Sequence, residues 1–312
     1  MAATKPNVAA LVEQMPDTDK EIQAKAEETK QQTQPDAPDK PKPKPDPSGA
    51  ASKFTGPDPE AAEKVFVEIL AGGRGSILEL LGLVREPSDA DYKNYKAGYL
   101  LHGLVIYAGR AGKENERQLL AQALVSHLCS DQPSKAVKGF LIRQLRLIGG
   151  KDAVGFLAPF LRDEELCGDA AEALLTIRDG AARWFRGALD KSEGRNRITI
   201  IQALGLLSDA PSAAELRKTL ADRDRDVRIA AASALASIGD PDAVEALLKF
   251  ADGAEGWERT EATKACLLLA ERLAAAKQKP QASRIYSHMR DTRTGPKERH
   301  VREAAERALR PL

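Results

Sequence analysis

The chain has 312 residues, with 47 Lys and Arg against 46 Asp and Glu and a formal net charge of +1. That length would allow about two ordinary domains, but the charge balance lacks the cationic excess of a dedicated nucleic-acid binder. Three cysteines are too few for a disulfide framework, and the sequence holds no apolar run of about 18 residues that would span a membrane. Aromatic residues make up 4% and hydrophobic residues 42%. A core of Ala, Leu, Ile and Val favours close-packed helices over a sandwich or barrel.

Residues 1–59 differ from the rest. Ten of the eighteen prolines lie in residues 1–60, which also carry 8 Lys, no Arg and 11 acidic residues. The first sixty residues therefore sum to −3 and the remainder to +4. So few large apolar groups cannot offset ordering entropy by burial, and 1–59 is expected to be a disordered, acidic, Pro-rich tether. Thr18 and Glu21 have capping-box spacing ahead of a helix-prone stretch, where fractional helix is expected. Residues 35–47 read PDAPDKPKPKPDP, a polyproline II spacer of roughly 40 Å at about 3.1 Å per residue. Its PxxP spacing arises easily in any proline-rich tract, so the tether reading is favoured over an SH3-type ligand. VAALV, residues 8–12, is too short for the roughly 7–15 apolar residues of a secretory signal. A soluble, cytoplasmic chain is expected as written, or an exported one if Met1 is not the natural start.

From residue 60 onward the pattern is helical and repetitive, which predicts one folded array over 60–312. A helix pair is expected over 60–85 around the Gly72–Gly75 turn, and a longer unit from Tyr95 to Cys129 with Leu104 on its first helix. Then a period sets in. Leu145 with Ile148, Leu174 with Ile177, Leu204 with Leu207 and Leu235 with Ile238 recur at steps of 29, 30 and 31 residues. Each unit carries a breaker: Gly149-Gly150, Asp179-Gly180, Ala210-Pro211 or Asp240-Pro241. In the clearest unit, Asp226 is expected to cap a helix whose face is Val227, Ala230, Ala231, Ala234, Leu235 and Ile238. A second helix follows with Ala243, Ala246, Leu247 and Phe250 inward. Second helices are expected to align through Ala153, Ala213 and Ala243. A pair over 260–289 and a final half-repeat, HVREAAERAL, close the array with a polar outer face. A single hairpin cannot bury its apolar face alone, so stacking is required.

The stretch DRDRDVRIAAASALASIGDPDAVEALLKFA and its three aligned copies, over about 135–252, resemble the HEAT repeat family, particularly its PBS-lyase-type HEAT-like form. The resemblance implies an armadillo-like, right-handed α-solenoid with second helices lining the concave side. It also implies a ladder of an Asp before each first helix and an Arg after its leading valine. Val227-Arg228 and Val301-Arg302 fit that pattern, Val137-Lys138 is a near match, Asn196-Arg197 keeps the arginine, and Leu166-Cys167 has neither residue.

No catalytic, cofactor or metal residues are expected. The resemblance extends to deoxyhypusine hydroxylase, which needs His-Glu pairs to hold iron; His102, His127, His288 and His300 are followed by Gly, Leu, Met and Val. His127 and Cys129, two residues apart on a helix, point about 200° apart and do not converge on an ion. Cys167 and Cys266 read as small buried hydrophobes. DRDRD at 222–226 lacks the Gly and Glu of a calcium loop and reads as a helix-capping turn. GRAGK at 109–113 and GGRG at 72–75 lack the phosphate-loop register and read as turns.

The expected function is a non-catalytic protein–protein interaction scaffold using the concave surface, with Arg183, Trp184 and Arg186 as the candidate partner-binding residues. Trp184 is expected to point away from a buried stripe of Ala182, Phe185 and Leu189. The alternatives are a PBS-lyase-like subunit assisting bilin attachment, which would show as a spectral shift on mixing with a bilin, and a weak nucleic-acid binder using the basic stretch 284–310. Glu298, Glu303 and Glu306 interrupt that stretch, which fits a solvated face better.

Overall fold

The computed structural model describes residues 6–15, 59–86 and 95–311. The described residues contain sixteen α-helices, short 3-10 segments and no strand. They fall into two compact units, Met1–Gly149 and Gly150–Leu312. The boundary sits at the Gly149-Gly150 breaker, between two helices read from the sequence as one hairpin.

The first unit contains α1 (Val8–Glu13), α2 (Pro59–Ala71), α3 (Gly73–Leu83), α4 (Tyr95–Ala108), α5 (Glu114–Leu128) and α6 (Lys135–Ile148). First helices pack on first helices, α2 on α4 and α4 on α6, while α3 packs on α5. The expected pairs at 60–85 and 95–129 are both present. Within the stretch read as a tether, residues 8–13 form α1, which packs against α3 and α4, and Val8, Leu11, Val12 and, just past the helix, Met15 are buried. The Thr18–Glu21 box and the polyproline tract lie outside the described residues.

The second unit opens on an interrupted helix: a 3-10 turn at Lys151–Ala153, α7 (Val154–Leu157) and a second 3-10 stretch, Ala158–Arg162. Pro159, without an N–H to donate, breaks the α-ladder there. Next come α8 (Cys167–Ile177), α9 (Ala182–Leu189), α10 (Gly194–Leu206), α11 (Ala213–Thr219), α12 (Arg225–Ile238), α13 (Val244–Gly253), α14 (Gly256–Ala275), α15 (Lys279–Thr292) and α16 (Arg299–Leu309). The first helices α8, α10, α12 and α14 pack side by side, and each hairpin closes on its neighbour. This is an all-α solenoid arrangement of stacked hairpins.

Alanine lets the first helices approach closely. Because α12 lies between α10 and α14, it buries Ala232 and Ala236 as well as the expected Val227, Ala230, Ala231, Ala234 and Leu235, while Ile238 is half-buried. A Cβ added at Gly205 would lie 2.9 Å from the Ala234 Cα, so the α10–α12 contact requires glycine at that position. The hairpin turn after α12 uses Gly239 in the left-handed region at φ 79°. Its counterpart after α10 is Ser208 at φ 51°, a residue the breaker pattern does not reveal.

Two registers differ from expectation. The α12 cap is Asp224, whose carboxylate accepts from the Asp226 N–H at 2.8 Å, rather than Asp226 itself. Asp222 likewise accepts from Asp224 N–H at 2.9 Å, so DRDRD is a run of Asx turns feeding the helix. Second helices align one residue away from the expected frame at Ala213. The 3-10 turns end at Ala153, Ser212 and Ala243, and the buried leucines are Leu157, Leu216 and Leu247. In α13, Val244, Leu248 and Ala251 are buried with Leu247, whereas Ala246 and Phe250 are half-buried.

Candidate interaction surface

Two sets of ion pairs tie the hairpins of the second unit together. On the first helices, Arg197, Arg228 and Arg259 recur 31 residues apart. Each reaches an acid of the following hairpin: Arg197 Nε to Asp222 at 3.5 Å, Arg228 Nε to Glu258 Oε1 at 2.7 Å, and Arg259 Nε to Glu298 Oε1 at 2.7 Å. Arg228 also donates to the carbonyls of Asp222 and Arg223, at 2.8 and 3.2 Å. The ladder is therefore built on the arginine position, and the preceding valine is dispensable. Val301-Arg302, which fits the sequence pattern, and Val137-Lys138, its near match, make no ion pair among the described residues. On the second helices a shorter series repeats at the same interval: Arg186 pairs with Asp209 and Arg217 with Asp240.

The rungs have a testable energetic consequence. The Glu258 side chain is 14% exposed, and removing its partner would leave a poorly solvated charge. Arg228→Ala is expected to cost about 1–3 kcal/mol. A double-mutant cycle with Glu258→Gln in urea is expected to give a coupling of about 1 kcal/mol; a coupling near zero would reduce the rung to surface decoration.

Trp184 is half-buried rather than directed away from the core. Its ring lies near enough that a Cβ at Gly155 would sit 3.7 Å from Cζ2, so the glycine on α7 makes room for the indole of α9. The indole Nε1 is buried and has no hydrogen-bond partner among the described residues. Arg183 is exposed and holds its guanidinium 5.2 Å from the indole centroid. Phe156, next to Gly155 in sequence, is 49% exposed. Arg186 is engaged with Asp209, a nearly buried carboxylate. Of the expected inward stripe, Phe185 and Leu189 are buried and Ala182 is half-buried. The other tryptophan, Trp257 at the start of α14, is 61% exposed with Lys264 Nζ 5.3 Å from its centroid.

A second polar feature is a cleft of about 1020 Å³ at the starts of α10 and α12. Arg162, Lys191, Arg195 and Arg223 line it beside Glu164 and Glu193. Cations and carboxylates alternate here, so the cleft has no single sign.

The basic stretch 284–310 is partly neutralised. Arg284 pairs with Glu245, Arg290 with Asp291 and Arg299 with Glu303. Arg293, 1% exposed, is the buried centre of a polar network. It donates to Thr263 Oγ1 at 3.3 Å and Asp252 Oδ1 at 3.2 Å, and lies 3.8 Å from Glu298. His288 Nε2 shares Asp252 at 2.9 Å. Burial pushes the Asp252 carboxyl up, but hydrogen bonds from His288 and Arg293 outweigh it and hold it below the usual range. Hydrogen bonds from Arg259 hold Glu298 down in the same way.

Among the described residues, no group of three or more His, Cys, Asp or Glu could hold a metal ion. No described helix is long and apolar enough to cross a membrane. Cys167 and Cys266 are buried, and desolvation pushes their thiols up to about 11 and about 12. At such values the thiolate is scarce at neutral pH. His127 is buried, and desolvation together with Arg85 pushes its pKa down.

These features define a class: a protein of stacked helical hairpins that devotes its polar chemistry to joining one hairpin to the next. Residues 182–267, from α9 into α14, match the model of the HEAT repeats family. A solved structure titled as the complex of CpcE and CpcF of phycocyanin lyase from Nostoc sp. PCC7120 is similar to it at 20% identity. That match covers 80% of this chain and 98% of the other, with a TM-score of 0.35. No curated protein matches the chain.

Proposed function

We propose that the chain is a non-catalytic interaction scaffold whose second-helix face, at α7 and α9 of the second unit, binds a protein partner. The observation that carries this reading is the Arg183–Trp184 pair. A tryptophan with its ring edge set against Gly155, its Nε1 without an internal acceptor and a free cation over its face has the composition of a binding hot spot. Exposed Phe156 extends the apolar area on the neighbouring segment. Arg186 serves the site indirectly by anchoring α9 to Asp209 of the next hairpin.

A tryptophan anchor contributes about 2 kcal/mol or more when truncated, or roughly 30-fold in affinity. Trp184→Ala is therefore expected to weaken capture of the partner at least that much while circular dichroism stays unchanged. Affinity capture on the whole chain and on the variant, read by mass spectrometry, checks this. Proteins retained equally by both would remove Trp184 from the interface.

A further inference from the structure

A cavity of about 950 Å³ lies in the first unit, where the ends of α3 and α5 meet the start of α6. That volume suits a small-molecule site. Its floor is apolar, with Val84, Pro133 and Val137 all buried. His127 is set into this floor and is 6% exposed. Neither of its ring nitrogens has a hydrogen-bond partner among the described residues. A buried imidazole is ordinarily bonded, because the bonds it gave up to water must be replaced. Burial and the charge of Arg85 favour the neutral ring, which offers one N–H donor and one acceptor.

Arg85 lines the same cavity and is fixed without being neutralised. Its Nη1 donates to the carbonyls of Gly82 and Val84, the latter at 3.0 Å, where the α3 dipole favours a cation. It has no carboxylate partner among the described residues. Glu86, the acid next to it, is engaged elsewhere. It accepts from the Ser134 hydroxyl, whose oxygen accepts from the Val137 N–H at 3.4 Å and caps α6. A fixed cation and an unpartnered N–H donor thus stand over an apolar floor. Those are the contacts that a carboxylate on a hydrocarbon body requires.

We propose that this cavity binds a carboxylic acid with an apolar body, its carboxylate held between Arg85 and His127 and its hydrocarbon laid on Val84, Pro133 and Val137. The acid comes either as a free small molecule or as the C-terminal residue of a peptide. The cavity is separate from Trp184 and does not rest on the reading given there.

The experiment titrates the whole chain, carrying isotope-labelled histidine, with octanoate and octanamide. It is repeated with a short peptide ending in valine, as the free acid and as the C-terminal amide. His127→Phe assigns the His127 ring signals by their absence. At least one of the two acids is expected to shift those signals saturably. The matching amide is expected to bind at least about tenfold more weakly, because it loses the charge-assisted bonds to Arg85. Tighter binding of octanoate assigns a free acid to the cavity; tighter binding of the peptide acid assigns a chain terminus. Arg85→Gln, at an exposed position, is expected to weaken acid binding by a similar factor with circular dichroism unchanged. His127→Phe is expected to weaken binding while the urea midpoint stays level or rises, since it removes a buried polar group that nothing satisfies. Ring signals that neither acid moves, equal binding of acid and amide, or full acid binding by Arg85→Gln would each overturn the proposal.

Discussion

Phe185→Ala is expected to destabilise the chain by about 3–5 kcal/mol, the range for truncating a fully buried aromatic side chain. Phe185 is 0% exposed on an eight-residue helix that packs on α10 and on the 158–162 segment. In a solenoid, stability is a sum of unit and nearest-neighbour terms, so the loss is expected to be local. Urea unfolding followed by circular dichroism should show an earlier transition, and hydrogen exchange should place the weakened amides in α8, α9 and α10. The adjacent variant is the control: Trp184→Ala is expected to act on binding far more than on stability. A uniform loss of protection throughout the second unit would contradict the nearest-neighbour description.

Arg293→Met is expected to cost about 2–3 kcal/mol at neutral pH. The substitution keeps volume and removes the charge, so the cost is electrostatic. Full loss of a buried ion pair costs about 3–5 kcal/mol. The value expected here is lower because Asp252 is 43% exposed and keeps His288, while Glu298 keeps Arg259. The pH dependence follows from the two depressed carboxyls. A carboxyl whose folded pKa lies below its unfolded value stabilises the fold above the unfolded pKa, about 4. That contribution disappears as pH falls through the folded pKa. The gap between the unaltered chain and Arg293→Met is therefore expected to be full at pH 7 and to narrow as the pH drops below about 4. Urea midpoints measured from pH 7 downward check it; a gap independent of pH would mean that Arg293 acts through packing alone.

Much of the second unit was legible in its residues because the signals are local. The spacing of Leu174, Leu204 and Leu235 reports one apolar stripe per first helix, and Gly239-Asp240-Pro241 stops one helix and starts the next. Errors of one or two residues arose where two groups of the same chemistry compete. Asp222, Asp224 and Asp226 all suit a cap, and the one that serves is set by the chain's approach to α12. Ala213 and Ser212 are both small enough for the same buried place.

The candidate site was less legible, for a reason of distance. Whether Trp184 faces solvent depends on Gly155, and the partner of Arg186 is Asp209. The Arg197, Arg228 and Arg259 rungs were partly hidden because their acids occupy different positions in each following hairpin: two residues before the cap at Asp222, inside α14 at Glu258, and in a 3-10 turn at Glu298. A strict 31-residue comparison of the arginines alone would have found them.

The amino-acid sequence by itself determined that this protein is a stack of helical hairpins, since an apolar stripe on every helix and a breaker between helices leave no other way to bury the surface. The tertiary structure alone decided which charges are paired, how deeply Trp184 sits, and that VAALV is a docked helix rather than part of a tether. Each of these depends on groups brought together from distant parts of the chain. For α1 the difference is largest: four apolar residues in a polar tail offer too little burial to fold alone, and the α3–α4 surface supplies the rest.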